Sequence, residues 1–167
     1  ATDGNKSSVH NGGSTKSTSM TVAFSGNDTG GVGIDHFTCS IDKSNFVTCT
    51  SPYKLTESLK DGIHTFRVLS EDKVGNKDPS AASLSWTVDT VPPSTSISSV
   101  IDGNRNTVAN GGNTTSTSMT FAFSGKDTGV GLDHFECSLD GASFAVCTSP
   151  VQYSNLTDGA HTLNVLT

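Results

Sequence analysis

Four cysteines fall in two pairs with one spacing: Cys39 and Cys49 are ten residues apart, as are Cys137 and Cys147. A structural zinc site needs four ligands, and each pair offers two thiols at a spacing unlike a zinc knuckle. The flanking residues point elsewhere. Phe37, Cys39 and Ile41 alternate with polar residues, as do Phe135, Cys137 and Leu139, the pattern of a half-buried strand. A turn follows, Asp140-Gly141 in the second instance, and then a return strand with the second cysteine. A hairpin folded near Ala142 sets Cys137 face to face with Cys147, and the same folding pairs Cys39 with Cys49. The expected chemistry is a disulfide in each hairpin, which belongs to an oxidising, extracellular compartment.

Other side chains could do chemistry and are weighed against plainer roles. Asp35-His36 and Asp133-His134 suggest acid–base work, but no nucleophile or third partner lies near them in sequence. They are expected to precede a strand in both copies, so a structural role is expected and no catalytic residue is assigned. His64 and His161 each follow an Asp-Gly turn at a strand start and read as hydrogen-bonding corner residues. Asp28, Asp35 and Asp72, with Asp127 and Asp133, are placed in Gly/Asn-rich loops and are candidate calcium ligands, since hard cations take carboxylate and carbonyl oxygens. They match neither a twelve-residue EF-hand loop nor a nonapeptide calcium repeat, so no cofactor is assigned beyond that calcium candidacy. Asn5, Asn27, Asn113 and Asn155 open Asn-x-Ser/Thr triplets and are candidate glycosylation sites, although so Ser/Thr-rich a chain produces several such triplets by chance. Aromatics are 7% of the chain, and only Tyr53 and Tyr153 look free of core-facing positions, which argues against a carbohydrate platform.

The elements that carry these residues come in two rounds. Ala1–Gly13 aligns with Val100–Gly112, and Ser17–Ser25 with Ser116–Ser124. One extra glycine at Gly31 and one residue near Glu57-Ser58 shift the register, both in expected loops. Met20, Val22 and Phe24 share one face of a core strand. Pro52 and Pro150 open short edge strands. His64–Leu69 and Ser83–Asp89 are further core strands, the second with Leu84, Trp86 and Val88 inward. Thr90–Ser94 holds two prolines and makes a stiff joint, and Thr95–Ile101 is the next strand. No helical period appears anywhere. Strands every 8–12 residues between Gly/Pro turns indicate an all-β chain of two tandem β-sandwiches. The expected division is residues 1–90, a linker at 91–94, and residues 95–167.

Hydrophobic residues make up 32% of the 167, below the ~45–50% usual for globular domains. Such thin cores favour a disulfide staple in each unit. The net charge of −6, without a basic cluster, gives nucleic acid no electrostatic footprint. No apolar run approaches the ~18 residues of a membrane span. The repeat and the chain are out of phase. The first unit has no counterpart of Thr95–Ile101, and the second has none of Ser83–Asp89. An apolar groove and an unpaired strand edge are expected there. Either further sequence of a longer tandem array covers them or a neighbouring chain adds a strand.

The run Asp35–Pro52 with Leu59–Val68, Glu71–Pro79 and Ser83–Pro93, the first two stretches occurring twice, resembles the tandem bacterial and archaeal immunoglobulin-like repeats of long secreted and surface proteins. That resemblance implies fibronectin type III-like sandwiches and a place in extracellular stalks, adhesins, surface layers or fibres. It implies no catalysis, and a fold likeness leaves the role open. The expectation is a structural, self-associating segment of a microbial cell-surface filament or stalk. The alternatives are an adhesin repeat that binds a surface glycan or protein, and an inert spacer of a secreted enzyme.

Overall fold

The computed structural model describes residues 1–55 and 57–167. It is all-β among these residues, and it divides into two compact units, Ala1–Thr90 and Val91–Thr167.

The first unit contains β1 (Thr2–Asp3), β2 (Gly13–Thr15), β3 (Met20–Val22), β4 (Ile34–Ile41), β5 (Val47–Cys49), β6 (Tyr53–Lys54), β7 (Gly62–Asp72) and β8 (Ala82–Val88). Three of them form the sheet β1-β3-β6, and five form β2-β8-β7-β4-β5. Alternation decides which side chains turn inward. On β3, Met20 and Val22 are buried while Thr21 is only half so; on β8, Trp86 and Val88 are buried between Ser85 and Thr87. These residues meet Val9, Cys39, Cys49, Leu55 and Phe66 in one core that takes side chains from both sheets. Trp86 is 1% exposed, and its ring lies 5.9 Å from that of His64. Pairing in the larger sheet is antiparallel except at its edge, where β2 runs parallel to β8 with Gly13 opposite Trp86.

The second unit contains β9 (Ser94–Asp102), β10 (Met119–Lys126), β11 (Phe135–Leu139), β12 (Ala145–Cys147), β13 (Val151–Tyr153) and β14 (Leu163–Leu166), in sheets β13-β10-β9 and β12-β11-β14. β9 starts at Ser94, inside the stretch that the sequence assigned to a linker, because Ser94 already pairs with Lys126. β10 runs on to Lys126 because β9 pairs along its whole length, whereas in the first unit the equivalent strand stops at Val22. β1 reaches only Met20 and Thr21 there, and residues 23–25 have no strand beside them. Phe24 still packs on the core, edge-on to Phe37.

Each disulfide joins strands of one hairpin, Cys39 to Cys49 and Cys137 to Cys147, with Cα atoms 5.8 Å apart in both. The cysteines are not directly opposed. Cys39 faces Val47 and Cys49 faces Phe37, and the second hairpin repeats this with Cys137 opposite Ala145. The turn lies one residue earlier than symmetry about Ala142 requires. Ser44 N–H donates to the Ile41 carbonyl and Ala142 N–H to that of Leu139. Asp42 and Asp140 hold the turn at φ 54° and 52°. A two-residue stagger keeps both sulfurs on one face, so the bridge forms diagonally.

Trp86 fills the largest share of the first unit's core, so Trp86→Ala should cost that unit about 3–5 kcal/mol. Two-transition denaturation, followed by tyrosine fluorescence and hydrogen exchange, should show the first unit's midpoint falling and the second unit's unchanged.

Candidate functional site

What recurs in this chain is an aspartate that closes a loop. Asp3 is buried on β1, and its Oδ1 accepts the amides of Asn5 and Ser7 at 2.9 and 2.8 Å; Oδ2 accepts the Thr15 hydroxyl. Asp102 does the same on β9, with amides from Asn104 and Asn106 at 2.9 and 2.8 Å and the Thr114 hydroxyl at 2.7 Å. Asp72 at the end of β7 builds the turn a third time, taking the amides of Val74 and Asn76. In all three the fourth residue has positive φ: Lys6 66°, Arg105 68° and Gly75 90°. A lysine and an arginine hold this left-handed conformation because the carboxylate fixes the amides on either side of them. The sequence carries the signal as Asp-x-x-x-Ser/Asn at positions 3, 72 and 102; Asp72, a calcium candidate on sequence, spends its Oδ1 on this turn.

The second device joins a hairpin turn to a strand start. Asp42 Oδ1 accepts Thr65 N–H at 2.9 Å, His64 Nδ1–H donates to Asp42 Oδ2 at 3.0 Å, and His64 Nε2–H donates to the Lys60 carbonyl at 2.7 Å. Asp140, His161, Thr162 and Thr157 repeat the arrangement with distances of 2.7 Å throughout. A carboxylate and a carbonyl are both acceptors only, so both ring nitrogens must carry protons. The geometry therefore selects the imidazolium form. Burial opposes it at His64, but the Lys60 carbonyl and the Asp42 carboxylate win and raise its pKa above the ordinary value. At His161 the hydrogen bond to Asp140 is the main cause of the upward shift, and it lowers Asp140 in turn. The corner role read from sequence for both histidines agrees with this placement.

The other candidates separate. Asp35 lies on β4, not in a loop, and its Oδ2 meets the Nδ1 of its neighbour His36 at 2.9 Å; His36 Nε2 faces Glu71 at 3.5 Å. Asp133 and His134 pair at 2.9 Å at the protein surface. Asp28 and Asp127 do sit in loops, and each spends an oxygen on them: Gly33 N–H donates to Asp28, and Gly129 and Gly131 N–H donate to Asp127. Calcium takes six to eight oxygens. Among the described residues no three His, Cys, Asp or Glu side chains gather as a metal site. Asn5, Asn27, Asn113 and Asn155 are all exposed, Asn5 within the Asp3 turn and Asn155 at φ 59°. No helix among the described residues is long and apolar enough to cross a membrane.

The aromatic placement corrects the sequence reading. Tyr53 packs on the core against Phe66, and Tyr153 stands edge-on to Phe121. The exposed rings are Phe46 and Phe144, at the same position before the return strand of each hairpin, beside exposed Val47 and Val146. Period-two alternation gave the return strand a core face that a three-residue strand does not reach.

The sequence matches no protein-family model and none of the curated proteins. What the chain is rests on the arrangement above: an all-β, disulfide-bonded chain of two compact units, whose carboxylates and histidines bind its own backbone.

These groups fix a pH window. The lowered carboxylates are Asp3, through the Thr15 hydroxyl and then Ser7; Asp102, through Thr114 and then Asn106; Asp72, through Asn76; and Asp140, through His161. Their stabilisation is present above an unfolded value of about 3.8 and disappears as pH falls through the lowered folded values. The raised histidines act oppositely: their stabilisation is full below about 6.5 and is lost as pH rises through the folded value. Urea midpoints should therefore peak between about pH 4 and 6.5, and NMR titration should place both His64 and His161 above the free-histidine value.

Proposed function

We propose that this chain is a structural segment of an extracellular microbial stalk or filament, built from tandem immunoglobulin-like, fibronectin type III-like sandwiches. The observation that carries the reading is repetition in series. Both units have their own hairpin disulfide, their own Asp-anchored loop and their own histidine clasp, at equivalent positions. A stalk needs such units because each must hold its fold without help from a distant active site. Disulfides support an oxidising compartment outside the cell. The carboxylates and histidines are occupied in loop closure, which is the chemistry of rigidity. Strand addition from a neighbouring chain fits the same reading, since β14 is an edge strand.

A second reading, an adhesin repeat that contacts a surface glycan or protein, is favoured by one observation. Phe46 and Phe144 are 41% and 43% exposed at equivalent positions, next to Val47 and Val146. Exposed aromatics at regular intervals suit a repeated contact.

Electron microscopy of the native, non-reduced protein tests the first reading. Ordered fibres with an axial repeat of one or two units support it, and discrete particles with no end-to-end order overturn the filament form. Pulling on single molecules gives a further expectation. Each disulfide closes a loop across a sequence separation of ten. Reduction should therefore lengthen each unit's unfolding step by about 3 nm.

A further inference from the structure

The turn that leads into β7 is held at two adjacent residues. Leu59 N–H donates to the Thr18 carbonyl at 2.8 Å, and Gly62 opens β7 opposite Val88. Only Lys60 and Asp61 lie between these fixed points. The Lys60 carbonyl accepts from His64 Nε2 at 2.7 Å. The Asp61 carboxylate accepts the Thr90 amide at 3.0 Å, and the Thr90 hydroxyl lies 2.9 and 3.0 Å from its two oxygens. Thr90 is the last residue of the first unit, and Ser94 already pairs within the second. The linker at 91–93 thus starts from a residue anchored on Asp61.

The histidine clasp bears on this turn through one ring nitrogen. Doubly protonated, His64 donates to the Asp42 carboxylate and to the Lys60 carbonyl at once. The neutral ring keeps one proton. It stays on Nδ1, because a bond to a carboxylate is stronger than one to a neutral carbonyl. Nε2 then turns a lone pair on the Lys60 oxygen, and the carbonyl must move away. Loss of the proton therefore falls on the loop and not on the hairpin. That carbonyl belongs to the peptide bond between Lys60 and Asp61, so the Asp61 carboxylate moves with it. The charged groups around the ring are few. Asp42 faces it from the hairpin turn, and Arg67 of β7 donates to the Asp42 carbonyl at 2.7 Å. Lys60 and Asp61 are the charged residues of the loop itself, and β8 presents the uncharged Trp86, with Asp89 just past its end. The His64 side chain is 11% exposed. Burial disfavours its cation, and the Lys60 carbonyl and Asp42 outweigh that effect.

We propose that His64 is a proton-operated latch on the linker between the two units. The imidazolium holds the Lys60 carbonyl, which aims Asp61 at Thr90 and fixes the start of residues 91–93. The neutral ring releases Lys60, and Thr90 comes off Asp61. The direction follows from the raised pKa of His64: anchorage is complete below about 6.5 and is lost as pH rises through the folded value. The bond from Thr65 N–H to Asp42 at 2.9 Å does not involve the ring, so the hairpin side of the clasp stays closed. The stiffness of the linker's first residue thereby follows the acidity of the surroundings. The latch is a property of the single chain and does not rest on the filament reading.

The test is an NMR titration of the intact, oxidised chain from about pH 5 to about pH 8.5, a range that spans the histidine transition. The His64 ring carbons report protonation, and carbon relaxation of the Thr90 methyl reports anchorage without interference from amide exchange. The Thr90 order parameter should fall by about a third, from the range of a rigid site towards that of a flexible one. Its midpoint should coincide with that of His64, and the methyls of Val22 and Val88 should keep their order throughout. His64→Gln, which carries no titrating proton, should abolish the pH dependence at Thr90. Asp61→Ala should leave Thr90 mobile at both ends of the titration. The proposal is overturned if Thr90 keeps its order while His64 titrates, if the two midpoints differ, or if the pH dependence survives His64→Gln. Loosening of Val22 and Val88 together with Thr90 also overturns it, because the event is then melting of the whole unit. Should either variant fail to fold, the titration of the unaltered chain decides. Fibres, or their absence, bear only on the filament reading.

Discussion

A chain with few apolar residues and long connections must find partners for the backbone amides of its loops, and here carboxylate oxygens supply them. Buried or half-buried amides without partners cost more than most contacts return. Asp3 and Asp102 each satisfy two amides and a threonine hydroxyl from one buried carboxylate. Asp42 and Asp140 then tie the hairpin turn to the residue after the histidine, Thr65 or Thr162. Strand ends, turns and loops are thereby set relative to the sheets without a large core. The disulfide does the same covalently on the hairpin between them. Acidic residues in such loops resemble metal ligands in sequence because both tasks need a carboxylate aimed at a convergent set of partners. Here the partners are N–H and O–H donors of the chain itself.

The core is the other half of the account, and the two units show what one strand contributes. β8 brings Trp86 and Val88, each 1% exposed, and it gives β2 something to pair with. In the second unit the fully buried apolar residues are Phe123 and Cys137, around a shorter set of inward side chains. Conversely, β9 extends β10 to Lys126, an order that the first unit's counterpart lacks beyond Val22. Sheet structure in these units is therefore cooperative across neighbours: a sequence with strand propensity becomes a strand where an edge is offered to it. Gly26 and Gly125 make the same point at close range, since a Cβ at either would collide with a branched side chain, Ile34 or Leu132, and press on Phe37 or Phe135.

Much of this was legible in the sequence, for a physical reason. Alternation marks strands, so Met20, Val22, Trp86 and Val88 could be placed inward from their spacing alone, and ten-residue cysteine spacing across a turn implied the two hairpin bridges. Repetition gave every reading twice. What was not legible depends on the exact turn. The hairpin pairs one residue off symmetry because Asp42 and Asp140 adopt positive φ, which composition does not announce. Asp35 was placed in a loop and lies on β4, since the strand begins at Ile34 with an irregular pairing next to Asp72. The tyrosines and the hairpin phenylalanines exchanged places for the same kind of reason: the return strands are too short to carry alternation to Phe46 and Phe144.

The parallel pairing of β2 with β8 sets Gly13 opposite Trp86. On a ribosome, therefore, the earliest residues of the first unit wait for its latest. β4, β5 and β7 can pair as they emerge, being near neighbours in sequence, but the core around Met20 and Val22 is filled only when Trp86 has been made. Pairing across such a separation is entropically slow and leaves apolar surface open meanwhile. The hairpin closes early and locally; the rest of the unit is completed by its final strand. Vectorial synthesis thus turns β8 into the timing element of the fold.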